Sequence, residues 1–319
     1  MTIMIKTRPS TLGRSLRALA TACTALLLGT TAHAQALEVT TSFSILGDLV
    51  AQVGGERVAV RTLVGADEDA HAFQPRPSDA REIGNAALVV VNGLGFDDWM
   101  VRLARAGGYK GTVVVASEGI ATLTMAKDDG HGHGHSHGGK AVDPHAWQDV
   151  TNVRRYVANI ADALVKADPE GAAVYRHNAE RYDGELKALD SEIRAAFDAL
   201  PAARRKVVSS HDAFGYFGRA YGIRFLSPVG VANNAEPTAQ GVARLIRQIK
   251  AEAVPAVFIE NVADPRLIER IRSESGAQVG GTLYSDALST TDGPAPSYIQ
   301  MMRSNLDVLR TALAAPADD

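Results

Sequence analysis

The run Leu88-Val89-Val90-Val91 consists of four successive apolar residues, three of them β-branched. Such a run is typical of a strand that is covered on both faces, as strands are in a parallel sheet. Similar strands are predicted at Val39–Ser42, Val58–Leu63 and Val113–Ala116. Apolar residues at helical spacing predict helices over Ser44–Val53 and Arg76–Asn85, the latter with Ser78 as its N-cap. Because strands alternate with helices, the predicted fold class is α/β with a parallel sheet.

The second half of the chain repeats this alternation. Its predicted strands are Lys206–Ser209, Arg224–Leu226, Ala256–Ile259 and Gln278–Thr282, and its predicted helices are Ala213–Tyr221, Gly241–Ala253, Arg266–Ser275 and Tyr298–Ala314. Two amphipathic helices, Val150–Lys166 and Pro169–Leu200, separate the halves. The second would be roughly 45 Å long, which is enough to join two lobes.

The predicted organisation is therefore a lobe over residues 35–167, a linking helix over 168–200 and a second lobe over 201–319. Two lobes of ordinary domain size imply a cleft between them, at the carboxyl ends of the strands, where ligands often bind.

The first 34 residues predict export. They hold four basic residues and no acidic residue, an apolar run over 16–28, and the small-residue sequence Ala32-His33-Ala34. This pattern is that of a secretory signal peptide cleaved after Ala34, and the apolar run is shorter than the ~20 residues of a membrane span. The predicted location is the periplasm. A lipoprotein processed at Cys23 is the alternative, although Ala20 stands where a lipobox usually has Leu.

Composition limits the chemistry of the remaining chain. Four of the 33 Lys and Arg, and none of the 36 Asp and Glu, lie in the leader, so the rest has a net charge of −7. A net negative charge does not indicate nucleic-acid binding, which requires a basic surface. The only cysteine is Cys23. A transition-metal site in the remaining chain must therefore be built from His and carboxylates.

Four residues at the edges of predicted elements form a candidate metal site. His71 lies in a loop after a strand, His145 precedes a helix, and His211 and Asp286 each follow a strand of the second half. Singly, each has a plainer interpretation as a surface His or, for Asp286, a helix N-cap. Together, three imidazoles and a carboxylate complete the tetrahedral set that Zn²⁺ takes, with no open position for a reactive water.

This set favours a metal carrier over a zinc hydrolase. The chain has no His-Glu-x-x-His motif and no nucleophile elbow, so no catalytic residues are predicted and the protein is not expected to be an enzyme.

The other histidines form two groups. His177 lies inside the long helix and is predicted to face solvent. The segment 128–140 is rich in Asp, Gly, His and Ser, and it contains His131, His133, His135 and His137. It is predicted to be a flexible loop that captures zinc weakly and passes it to the cleft. The alternative is a dispensable insertion.

These motifs resemble those of the metal-specific solute-binding proteins of ABC importers, the cluster A-I group with ZnuA- and TroA-like members. The resemblance covers essentially the whole chain after the leader. Its motifs include Phe73-Gln74-Pro75-Arg76-Pro77-Ser78-Asp79, Asp143-Pro144-His145-Ala146-Trp147, Ser210-His211-Asp212-Ala213-Phe214 and Ser285-Asp286-Ala287-Leu288.

The resemblance implies two (β/α) lobes joined by a rigid helix, with one metal held in the cleft by His71, His145, His211 and Asp286. Manganese-type relatives usually have Glu where this chain has His211, so the resemblance points to zinc. Glu68 or a water is the alternative fourth ligand. With Asp286, the set resembles AztC-type zinc-binding members most closely.

The resemblance also implies partners. The expected ones are the zinc ion and an ABC-transporter permease, with a periplasmic zinc chaperone as a further candidate, and the protein is expected to be a monomer. Two other functions stay open at this stage: a manganese-type binding protein, and an extracytoplasmic zinc chaperone or adhesin that works without a transporter.

Overall fold

The computed structural model describes residues 36–124, 142–231 and 237–314, together with Met1, Ile3 and Met4. The predicted leader and the segment with His131, His133, His135 and His137 lie outside the described residues. No helix within the described ranges is long and apolar enough to cross a bilayer.

The N-terminal lobe is built on a parallel sheet with strand order β2-β1-β3-β4. Its strands are β1 (Leu37–Phe43), β2 (Val58–Val64), β3 (Leu88–Val91) and β4 (Thr112–Val115), and its helices are α1 (Ser44–Gly54), α2 (Pro77–Asn85) and α3 (Asp98–Ala106). All four residues of β3 are buried, as its unbroken apolar run predicts. Helix α3 is not among the predicted elements.

Helix α2 begins at a proline, and the prediction that Ser78 is its N-cap is wrong. Arg76 occupies the N-cap position with an extended backbone, and Pro77 is the first helical residue. The Asp79 carboxylate accepts the backbone N–H of Arg76 at 2.6 Å. Proline sets this start, because its fixed φ suits the first turn and its missing N–H needs no partner there.

Two helices, α4 (Val150–Ala167) and α5 (Ala172–Asp198), connect the sheets. The α-helical part of the link is shorter than the 168–200 predicted, because Pro169–Gly171 forms a 3-10 turn. Asp168 stabilises this turn, since its carboxylate accepts the Gly171 N–H and binds Arg57 at 2.8 Å. His177 is exposed on α5, as predicted.

Helix α5 gives the two lobes a shared core. It buries a stripe of large side chains at helical spacing, namely Tyr175, Tyr182, Leu186, Leu189, Ile193 and Phe197. These belong to one apolar cluster with Val39 of the first sheet and Val207 of the second. Burying such side chains contributes about 1.5–3 kcal/mol each, so α5 ties the lobes together through apolar packing.

The C-terminal lobe repeats the first topology, with strand order β6-β5-β7-β8. Its strands are β5 (Lys206–Val208), β6 (Arg224–Leu226), β7 (Ala256–Glu260) and β8 (Gln278–Leu283), and its helices are α6 (Gly215–Tyr221), α7 (Ala239–Ala251), α8 (Pro265–Ser275) and α9 (Tyr298–Ala314). All strand pairs in both sheets are parallel. The predicted α/β fold with two similar lobes is confirmed.

Candidate metal centre

The structure brings together the four residues singled out from the sequence. His71 lies in the loop after β2, His145 immediately precedes a 3-10 turn at 146–148, His211 follows β5 and Asp286 follows β8. Their ligand-capable atoms all lie within 4.8 Å of one another. His145, His211 and Asp286 are fully buried, whereas the His71 side chain is 9% exposed. The edge of His71 is therefore the side of the cluster nearest to solvent.

The distances between these atoms suit a small tetrahedral ion. His71 Nε2 lies 3.3 Å from His145 Nε2 and 3.4 Å from Asp286 Oδ2. Asp286 Oδ1 is 3.5 Å from His145 Nε2, and its Oδ2 is 3.2 Å from His211 Nε2. Four donors at tetrahedral corners, each ~2.0–2.1 Å from a common centre, lie about 3.3 Å apart.

Asp143 orients the imidazole of His145. Its Oδ1 accepts both the backbone N–H of His145, at 2.9 Å, and the ring Nδ1–H, at 2.8 Å. A proton held on Nδ1 leaves Nε2 as the free lone pair that points to His71 and Asp286. The sequence carries a local signal for this contact, because Asp143 stands two residues before His145.

Glu260, at the end of β7, does the same for His211. Its Oε1 accepts the His211 backbone N–H at 3.0 Å, and its Oε2 lies 2.6 Å from His211 Nδ1. Both side chains are fully buried. The two residues are 49 positions apart in the chain. No local sequence signal marks the contact, and sequence analysis missed Glu260.

Charge is concentrated around His211. Burial alone lowers the pKa of His211, but the carboxylates of Glu260 and Asp286 outweigh it, and the pKa is raised well above 6.5. Burial likewise raises the pKa of Asp286, but His211 and His145 hold that pKa well below 3.8. The neighbouring acidic side chains therefore favour a proton on His211, and a cation that binds its Nε2 would compete with that proton.

Aromatic side chains enclose the N-terminal side of the centre. The ring centroids of His71 and Phe96 are 4.7 Å apart, and those of His145 and Trp147 are 5.2 Å apart. Phe96 and Trp147 also pack on each other, with centroids 4.8 Å apart. This apolar wall limits water and strengthens the electrostatic interactions inside it.

Two other interpretations from the sequence find no support in the geometry. Glu68 is exposed, and its Oε2 accepts the backbone N–H of Gly65 at 2.7 Å, so it lies in a turn and outside the convergent cluster. Asp286 is not a helix N-cap, because the described residues directly after it are not helical. The histidines of segment 128–140 lie outside the described part of the chain.

Comparison with known proteins places this centre in a family. Residues 39–312 match the family ZnuA, described as "Zinc-uptake complex component A periplasmic". The chain is 34% identical over 296 residues to the manganese-binding lipoprotein MntA of Halalkalibacterium halodurans, covering 93% of this chain and 95% of that one. It is 30% identical to the iron ABC transporter substrate-binding lipoprotein MtsA of Streptococcus pyogenes, covering 89% and 91%.

Among solved structures, the periplasmic zinc-binding protein TroA of Treponema pallidum superposes with a TM-score of 0.79 at 30% identity, covering 88% of this chain and 100% of that chain. The family match and both curated relatives span nearly all of the two lobes. The chain therefore belongs to the ZnuA family, the extracytoplasmic metal-binding components of ABC importers, and is not an enzyme.

Proposed function

We propose that this protein captures one Zn²⁺ ion in the periplasm and delivers it to the membrane permease of an ABC importer. The ligands are His71, His145, His211 and Asp286. The observation that carries the proposal is the convergence of three imidazole nitrogens and one carboxylate within 4.8 Å of one another. Four protein ligands saturate Zn²⁺, which suits a cargo that is carried and not used for chemistry.

The donor set supports zinc over manganese. Imidazole nitrogen suits zinc, copper, iron and nickel, whereas manganese prefers sites dominated by oxygen. The His₃Asp set with Asp286, as in AztC-type members, has three nitrogens to one carboxylate. The relatives named above carry manganese, iron and zinc in their names, and the experiments below distinguish zinc from manganese.

Capture begins at the exposed edge of His71 and ends with the loss of a proton from His211. Asp286 offsets one of the two charges of the incoming ion, and Asp143 and Glu260 hold the ring nitrogens of His145 and His211 ready to bind. Part of the conformational entropy of the ligand side chains is therefore already lost in the folded protein, before the metal binds. The segment 128–140 supplies four further imidazoles, which we propose gather zinc weakly and pass it to the cleft.

Metal titration tests the ligand set. The metal-free protein is expected to bind one zinc tightly, and His145→Ala is expected to weaken binding by at least ~100-fold. His177→Ala, at an exposed position on α5, is the matched control and should bind as the unsubstituted protein does. Asp286→Ala should weaken binding while Glu68→Ala should not. The reverse result would make Glu68 the fourth ligand.

Affinity alone does not identify the cargo, because Zn²⁺ binds most nitrogen sites more tightly than Mn²⁺. Growth of a deletion strain under zinc limitation and, separately, under manganese limitation distinguishes the two. A defect that zinc alone relieves supports the proposal. A defect that only manganese relieves would establish the manganese-type function instead.

A further inference from the structure

The carboxylate of Asp286 has no orienting partner of its own. Both oxygens are buried, and apart from the three histidine nitrogens they have no hydrogen-bond partner among the described residues. His145 and His211, by contrast, each have a further carboxylate oxygen near Nδ1, at 2.8 Å and 2.6 Å. The position of the Asp286 side chain therefore depends on how its backbone is held.

The backbone on both sides of Asp286 is bonded to the N-terminal lobe, although the residue follows the last strand of the C-terminal lobe. The carbonyl of Ser285 accepts from Trp147 Nε1 at 2.8 Å and from Gln148 Nε2 at 2.7 Å. The backbone N–H of Leu288 donates to Ser44 Oγ at 3.0 Å. These contacts join positions 137 to 244 residues apart.

Contacts to the C-terminal lobe lie further from the carboxylate or are longer. Asn305 of α9 binds both backbone groups of Tyr284 at 2.8 Å, two residues before Asp286. Asn261 Nδ2 donates to the Ala287 carbonyl at 3.3 Å. The peptide group preceding Asp286 is thus fixed by side chains from the turn that follows His145.

We propose that Ser44 and Gln148 are positioning residues that hold Asp286 against His71 and His145, so that three of the four metal ligands are kept in one place by the N-terminal lobe. This inference rests on the proposed function of the centre as a metal site. Gln148 stands three residues after His145, at the end of the 3-10 turn that His145 begins as its N-cap. The same turn therefore positions His145 directly and Asp286 through Gln148. Ser44, the first residue of α1, holds the chain where it leaves the centre.

A double-mutant cycle tests the inference. Ser44→Ala removes the acceptor of the Leu288 N–H, and Gln148→Met keeps the size of the side chain while removing its donor. Each is expected to raise the Kd for Zn²⁺ about tenfold, because a misplaced carboxylate loses part of its bond to the ion. Ser44→Thr keeps the hydroxyl and should restore binding to within about threefold of the original. Ser78→Ala, a matched change at the start of α2, should have no effect.

The decisive comparison is made in the Asp286→Ala background. If Ser44 and Gln148 act through Asp286, removing that carboxylate first should shrink both effects to less than about twofold. Effects of equal size in both backgrounds, or no effect in either, would overturn the inference while leaving one-to-one zinc binding by the unsubstituted protein intact. If the unsubstituted protein binds no metal at all, the proposed function itself fails, and that result is seen before any variant is made.

Discussion

At the scale of single residues, metal binding at the centre depends on which ligand atoms carry protons. His211 stands between Glu260 and Asp286, 2.6 Å and 3.2 Å from its two ring nitrogens. Against the effect of burial, these side chains raise the pKa of His211 well above 6.5 and so favour its protonated form. Zinc must displace that proton, because a nitrogen cannot hold both. The raised pKa of His211 extends the pH dependence of metal binding above 6.5, the ordinary pKa of His.

Zinc binding at pH 7.5 is therefore expected to release about one proton per metal ion. Affinity should rise with pH until the pKa of His211 is passed, and it should fall as pH decreases. Calorimetry in two buffers with different ionisation enthalpies measures the released proton directly. Glu260→Gln removes one carboxylate, lowers the pKa of His211 and should reduce the proton release. Heats that do not depend on the buffer would contradict this account of His211.

The Asp143 carboxylate contacts the centre through His145. Asp143→Asn is expected to weaken zinc binding by about 10–100-fold, because the amide no longer favours the ring tautomer with its proton on Nδ1. Asp264→Asn, at the exposed N-cap of α8, is a suitable control because Asn caps helices as well as Asp does. Competition with a chelator of known affinity gives the ratio. Equal Kd values for the Asp143 variant and the control would show that Asp143 does not orient the ligand.

At the scale of elements, most strands and helices lie where their local sequence patterns predict. Strands β3 and β6 and helix α9 have the bounds that their sequence patterns predict. Helix α3, which was missed, is nine residues long and is amphipathic, burying Met100 and Ala104, so its apolar periodicity was present in the sequence and was overlooked. The start of α2 was misplaced because Pro77, one residue beyond the start of the predicted range, determines it.

Helix α5 is the element on which both lobes depend. Leu189 is fully buried in the core that the lobes share. Leu189→Ala is expected to lower the free energy of unfolding by about 2–5 kcal/mol, because it leaves a cavity among residues that cannot collapse into it. Val174→Ala, on the same helix at a position 42% exposed, should cost less than about 1 kcal/mol.

Denaturant unfolding of the metal-free protein, followed by circular dichroism, measures both changes. If α5 joins the lobes through this core, the Leu189 variant should still unfold in a single transition, at a lower denaturant concentration. Two separate transitions, one for each lobe, would show that the lobes fold independently.

At the scale of the whole molecule, the four proposed ligands come from both lobes, so a bound ion adds cross-links between them. A ligand that binds only the folded state stabilises it by about 4 kcal/mol at 1,000 times its Kd. Excess zinc should therefore raise the melting temperature of the unsubstituted protein. The His145→Ala variant should show much less of this stabilisation.

Deletion of residues 128–140 separates the cleft from the His-rich segment. Calorimetric titration of the shortened chain is expected to retain one tight zinc site and to lose the weaker ones, because the four proposed ligands lie outside the deleted segment. Replacing His131, His133, His135 and His137 with Ser in the full-length chain is the matched control. Loss of all tight binding in both variants would indicate that the principal metal site lies in the segment, and it would contradict the cleft assignment.

The sequence by itself determined the α/β class, the two similar halves and the long helix between them, because these follow from apolar periodicity along neighbouring residues. It also singled out His71, His145, His211 and Asp286, since residue type at strand and helix edges is a local property. Only the tertiary structure decided that their donor atoms lie within 4.8 Å of one another, that Glu260 faces His211, and that the backbone around Asp286 is bonded to the opposite lobe. Those contacts join residues 49 to 244 positions apart, and through-space packing, which no local pattern encodes, brings them together.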